Sequence, residues 1–139
     1  MSHYPCASPE SAYTEQERRN RDVVMAFYDN GVNRRDPTVA VSYLGPKFIQ
    51  HSPHVADGTQ GFVDFFTAFW KKYPDFRVEV KRIFIEGDMA AVHTRSLGGP
   101  NANGDAGVDI LRLDHGKIVE HWDVVRPIPA NAANANSMF

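Results

Sequence analysis

A single cysteine, Cys6, is all the chain offers for disulfide chemistry. It excludes an intrachain bridge and favours a reducing compartment. No apolar run approaches the ~20 residues a membrane-spanning helix requires. Residues 1–13 lack the basic and apolar blocks of a secretory signal, so a cytoplasmic location is expected. Charge of one sign is scarce too: a formal net charge of −2 gives no electrostatic footprint for nucleic acid or an anionic membrane. Internal repeats and interdomain linkers are absent. What is present, in 139 residues, is 42% hydrophobic and 12% aromatic content, enough for one bulky core but not two. Residues 14–126 read as a single domain between an irregular arm at 1–13 and an extended tail at 127–139.

The informative stretch runs from Gly107 to Val125. Apolar and polar residues alternate on both sides of Asp114-His115-Gly116, which predicts two strands and a tight turn. A two-residue loop would force positive φ on His115, whereas a three-residue loop asks it only of Gly116. The expected register therefore pairs Leu113 with Lys117, Leu111 with Val119 and Asp109 with His121. Asp123 then shares a face with His121. The opposite face carries Val108, Ile110, Arg112, Ile118, Glu120, Trp122 and Val124. A one-residue slip would put Trp122 in place of His121.

Upstream, Thr14 to Glu17 has capping-box spacing and opens a helix to about Asn33, with Val24, Phe27, Tyr28 and Val32 on one stripe. Asp36-Pro37 starts a second, short helix that Gly45-Pro46 should stop. Lys47 to His51 reads as extended, and Ser52 to Gly58 as a loop. A third helix from about Thr59 to Pro74 carries Phe62, Phe65, Phe66, Phe69, Trp70 and Tyr73, chiefly as core. From Phe76 the period becomes two, with a bulge expected near Lys81-Arg82, a turn at Glu86-Gly87-Asp88 and a loop over 98–106. The tail is either frayed or laid across a neighbouring surface. Helices followed by antiparallel strands predict an α+β fold.

Several motifs carry a family resemblance. They are Ala26-Phe27-Tyr28 with Asn33-Arg34-Arg35-Asp36, the run Phe48 to Gly58 containing His51-Ser52-Pro53-His54, Val92-His93, Asp109 to Arg112, Asp114 to Val124, and the closing Asn136-Ser137-Met138-Phe139. Together they resemble the SnoaL-like polyketide cyclase family of the nuclear transport factor 2-like superfamily. The resemblance implies a cone: three N-terminal helices on a strongly curved, mostly antiparallel sheet of the cystatin-like kind, enclosing an apolar pocket. It also implies a homodimer through the outer sheet face (Ile110, Trp122, Val124), which would otherwise leave apolar surface in water.

For chemistry, the resemblance implies that Tyr28 and Asp109 match the tyrosine and protonated Asp that ketosteroid isomerases aim at an enolate oxygen. His51 stands where those enzymes place their base, a departure that speaks against a steroid substrate. Asp123 resembles the acid/base carboxylate of SnoaL-like cyclases. His51 or His121 suits the role of base by its intrinsic pKa. Two readings of Asp109 stay open, since burial would keep it neutral and a close His121 would hold it ionised. His93, Phe66, Trp70, Leu111 and Val125 are expected to meet a bound small apolar molecule. Bland roles remain beside these: Asp109–His121 as a structural pair, and Tyr28 as core with a satisfied hydroxyl. His51-x-x-His54 with His121 and Asp109 lacks the spacing of ordinary metal sites, so neither a metal nor a cofactor is expected. The expected function is cyclisation, isomerisation or dehydration of an apolar carbonyl compound by general acid/base chemistry. The alternatives are a ligand-binding module or a dimeric scaffold, the last of which requires a filled pocket.

Overall fold

The computed structural model describes residues 12–139, so Cys6 and most of the arm lie outside the described residues. Tyr13, assigned to the arm, is buried in the core instead. Helix α1 (Glu15–Ala26) begins at a complete capping box, Thr14 Oγ1 accepting from Glu17 N and Glu17 accepting from Thr14 N. The expected single helix to Asn33 changes pitch: Phe27–Val32 is a π-helical segment closed by Asn33 N donating to Tyr28 O at 2.8 Å. Its cause is local. Gly31 packs so closely on α2 (Pro37–Ser42) that an added Cβ would lie 2.7 Å from Ala40 Cα. Beyond it, Asn33 clamps Val78 with two hydrogen bonds, Val78 N to its Oδ1 and its Nδ2 to Val78 O. The wider turn fits Tyr28 between these fixed points, as π segments often do at functional sites.

Asp36 caps α2 through Thr38 N and Val39 N. Gly45-Pro46 does not end that helix. Both residues fall inside β1 (Leu44–Gln50), where the pairing with β5 jumps from Leu44↔Ile118 to Ile49↔Glu120. A proline without a donor is tolerated there because β1 is an edge strand and the ladder is already interrupted. Helix α3 (Gly58–Lys72) starts at Asp57, whose Oδ1 accepts from Gly58 N and from Gln50 N. These two backbone bonds hold the Asp57 carboxyl below its ordinary pKa.

The remaining strands are β2 (Arg77–Glu86), β3 (Met89–Leu97), β4 (Asp105–Asp114) and β5 (Lys117–Pro127). Sheet order is β1-β5-β4-β3-β2, with β1 parallel to β5 and the other pairs antiparallel. The expected bulge is present between Val80 and Arg82. Such extra residues bend the sheet toward the helices. The tail lies across the outer face, its Phe139 ring 5.4 Å from His93 and within 5.6 Å of Lys81 and Arg95. No helix among the described residues is long and apolar enough to cross a membrane.

The β4–β5 hairpin corrects the expected register twice. His115 and Gly116 both have positive φ, 49° and 73°, so the loop has two residues and Asp114 pairs with Lys117. This left-handed pair matches the twist of the flanking strands, and His115 Nδ1 lies 2.9 Å from Asp114 Oδ1. That turn alone would have slipped the pairing by one. A second departure follows: Leu113↔Ile118 is succeeded by Arg112↔Glu120, leaving Val119 as an unpaired extra residue. Asp109 therefore faces Asp123, and His121 faces Leu111. The two shifts cancel in parity, so Asp109, Leu111, His121 and Asp123 still share the inner face. Ile118, expected outside, is instead buried on the inner side of the bulge.

Because Gly31 meets backbone of α2, Gly31→Ala should cost roughly 1–3 kcal/mol of stability, the usual penalty for overpacking. Denaturant midpoints of the two proteins measure it. An unchanged midpoint would show that α2 moves aside freely.

Candidate active site

The helices and the inner sheet face enclose a cavity of about 450 Å³. Its walls are mostly apolar. Phe62, Phe65, Phe66 and Phe69 project from α3, Phe27 from the π segment, Phe48 from β1, and Leu111 and Val125 from the hairpin. Phe66, Leu111 and Val125 thus stand where they were expected. Trp70 does not line the cavity; it is buried behind Phe66, ring centroids 4.9 Å apart.

At one end of the cavity the polar groups form a connected chain. Tyr28 Oη donates to Asp109 Oδ2 at 2.6 Å. Asp109 Oδ1 lies 2.8 Å from His121 Nε2, and His121 Nδ1 lies 2.7 Å from Gln50 Oε1. Gln50 Oε1 also accepts Ser52 N at 3.0 Å, which identifies it as the amide oxygen. An oxygen can only accept, so His121 Nδ1 carries a proton toward it. The short Nε2···Oδ1 contact then needs one further proton between imidazole and carboxylate. Burial, followed by the charge of Asp109, its hydrogen bond and the charge of Asp123, raises the Tyr28 phenol well above its ordinary pKa. Tyr28 is therefore a permanent donor.

Asp123 completes the group. Donor atoms of Asp109, His121 and Asp123 all lie within 4.8 Å of one another. Among the described residues, no hydrogen bond or ion pair engages Asp123, which faces the cavity beside the occupied pair. These three residues could approach a metal ion together. His121 Nε2 and Asp109 Oδ1 are joined to each other by a shared proton.

Two histidines are displaced from their expected places. His51 points to the outer face, its Nε2 2.8 Å from Glu120 Oε1 and its ring stacked 4.7 Å above Trp122. His51 and Arg112 together lower the pKa of Glu120. Alternation explains the reversal: with Phe48 turned into the core, Gln50 is also inward and His51 outward. His93 likewise lies outside, accepting from Arg82 and covered by Phe139. Burial, then the Arg82 charge, holds its imidazole below the ordinary range. Gln50, Ser52, Thr94, Ser96, Asn101 and Asp105 are polar lining residues the sequence reading did not single out. The buried Phe48 two positions earlier was the signal for Gln50. His54, assigned to a loop, does lie in one, at the cavity lining.

The profile of the SnoaL-like polyketide cyclase family matches residues 22–130. No curated protein sequence matches the chain. Among solved structures, AclR from Streptomyces galilaeus, provisionally named a hydroxylase, shares 25% identity over 80% of this chain and 92% of its own, with a TM-score of 0.67. A provisionally named SnoaL-like polyketide cyclase from Jannaschia sp. CCS1 shares 22% identity over 81% of this chain and 89% of its own, TM-score 0.68. A provisionally named ketosteroid isomerase from Kribbella flavida shares 19% identity over 86% of each chain, again with a TM-score of 0.68. At these identities the last two show the fold alone, a nuclear transport factor 2-like cone. The profile match carries more, and by it the chain belongs to the SnoaL-like polyketide cyclase family.

Proposed function

We propose that the cavity carries out general acid/base chemistry on a small apolar carbonyl compound, by side chains without a cofactor. Asp123 removes a proton next to the carbonyl. The proton shared by Asp109 and His121 passes to the developing enolate oxygen, and Tyr28 holds Asp109 in place. As the pair recovers that proton from the enol, the enol carbon attacks a second carbonyl whose oxygen takes the proton held by Asp123, another carbon takes that proton, or a β-hydroxyl leaves with it as water. These outcomes are aldol-type cyclisation, isomerisation and dehydration. The observation that carries this reading is an unpartnered carboxylate beside a proton-sharing pair, inside an apolar wall where charge is weakly screened. His51 and His93 have no part in it, being outside.

A non-catalytic binding module rests on the same apolar cavity, whereas a scaffold with a filled pocket loses its premise. A homodimer through the outer sheet belongs to the proposal, supported by exposed Val108, Ile110 and Val124. In that surface Trp122 is partly covered by His51. A reducing, cytoplasmic setting belongs to it as well, supported by the single cysteine.

Exchange of solvent deuterium into the α position of tetralone, an apolar ketone, followed by NMR, tests the chemistry. Asp123→Asn should slow exchange roughly 10²- to 10⁴-fold while tetralone affinity is kept, as loss of a general base does. Equal exchange in both proteins removes Asp123 from the mechanism.

Tyr28 gives a pH test. Its phenol has an ordinary value of 10.0 unfolded and a raised one folded. The folded state therefore keeps a proton that the unfolded state loses. Stability from this difference is complete below about pH 10 and is lost as the pH climbs toward the raised value. Tyrosinate absorbance should thus show Tyr28 ionising only as the protein unfolds, and Tyr28→Phe should lack that component. Titration of Tyr28 within the folded state would contradict its burial.

Val124 is 75% exposed at the outer face. Val124→Glu should convert a dimer into a folded monomer in sedimentation equilibrium. A wild-type monomer at micromolar concentration ends the dimer proposal.

A further inference from the structure

We propose that the cavity selects an elongated apolar molecule bearing a protonated amine at the end remote from its carbonyl, and that Asp105 receives the amine. The proposal rests on the carbonyl reading above for the other end only. On the inner face of β4, Asp105 and Asp109 are four residues apart, or roughly 13 Å at strand rise. Between them stands Gly107, where an added Cβ would meet Thr94 Oγ1 at 2.9 Å. The Thr94 hydroxyl and a Val125 methyl close over Gly107, and Asp105 and Asp109 line one cavity on either side of them, so one long ligand can reach both.

The two ends differ in how their carboxylates are engaged. Asp109 is bonded at both oxygens, by Tyr28 and His121. Asp105 accepts one good hydrogen bond, from Asn101 Nδ2 at 2.7 Å to Oδ1. Its Oδ2 has only Ser96 Oγ at 3.5 Å, too long for a firm hydroxyl bond. No ion pair joins Asp105 to a cation among the described residues. Ser96 and Asn101 line the cavity with it, so the carboxylate is held in place and still has an open oxygen.

The rest of the lining favours a cation over an anion. Among the described residues that line the cavity, the acidic ones are Asp105, Asp109 and Asp123, and none is lysine or arginine. A carboxylate on the ligand would find no lysine or arginine, only His54 and a His121 already bonded to Gln50 and Asp109, in surroundings that screen charge poorly. A hydroxyl would gain an ordinary hydrogen bond at Asp105. An ammonium gains a charge-assisted one, with phenylalanine faces of α3 available nearby.

Isothermal titration of the full chain at neutral pH tests this with naphthylethylamine, its neutral N-acetyl derivative, naphthylethanol and naphthylacetate. The amine should bind about tenfold tighter than the alcohol, and the acetate about tenfold weaker than the alcohol, as expected for a charged hydrogen bond in a half-buried site. The N-acetyl compound should lose the amine's advantage. Asp105→Asn should bring amine and alcohol within about threefold, while Asp123→Asn keeps the difference; Asp105→Ser serves if the asparagine variant does not fold. Acetate binding equal to the amine's, a preference that survives both Asp105 variants, one abolished by Asp123→Asn instead, or no binding by any probe overturns the proposal. These readouts are affinities. Absent deuterium exchange with intact amine selectivity would sink the carbonyl chemistry alone, and normal exchange without selectivity would sink only the role of Asp105.

Discussion

Asp109 ties the two layers of this protein together. Tyr28 comes from the helical layer and His121 from the neighbouring strand, and both end on its carboxylate. A buried phenol and a half-buried imidazole each lose water on folding, and each needs a partner in return. One carboxylate supplies both. The reach of Tyr28 from the π segment to the sheet and the orientation of the imidazole both depend on where that carboxylate stands. Gln50 extends the same logic to the sheet edge, since its amide oxygen accepts from His121 and from the backbone of Ser52.

Restraint of this kind suits proton transfer. A histidine whose Nδ1 proton is committed to an amide oxygen presents its other nitrogen to one neighbour in one orientation. The carboxylate beside it, Asp123, keeps its oxygens for whatever occupies the cavity. Apolar walls from α3 and β1 face both across the cavity. Two acidic groups on adjacent strands are thereby given different work by their partners, one held and one open. That division is the reason an apolar hollow can be read as a reaction site as well as a binding site.

Much of this was legible in the chain. Thr14 to Glu17, Asp36-Pro37 and Pro74 mark helix ends by local chemistry, and the break in apolar phase at Lys81-Arg82 marks a bulge; all act where they were read. The inward set Asp109, His121 and Asp123 was legible because alternation survives any even shift. The pairing was not, since left-handed φ at His115 depends on strand twist, and the extra residue at Val119 on packing beneath Ile118. Gly45-Pro46 misled because a helix stop and an edge-strand break use the same residues. His51 misled because the resemblance pointed to it while the pleat turned it out. The π segment left no mark in periodicity, as it follows from the approach of Gly31 to Ala40.

The extra residue at Val119 has a consequence for how this hairpin tolerates change in length. Inner and outer faces are assigned by counting residues from the turn, and an odd count exchanges them. The two-residue loop by itself would set His121 opposite Ile110, and the single extra residue at Val119 moves it opposite Leu111 on the inner face. Lengthening or shortening β5 by one position between the turn and His121 would turn the imidazole and Asp123 outward while Asp109 stays inward, unless a second bulge arose to compensate. The hairpin can therefore change in length between the turn and His121 only in twos, and its two turn residues must accept left-handed φ.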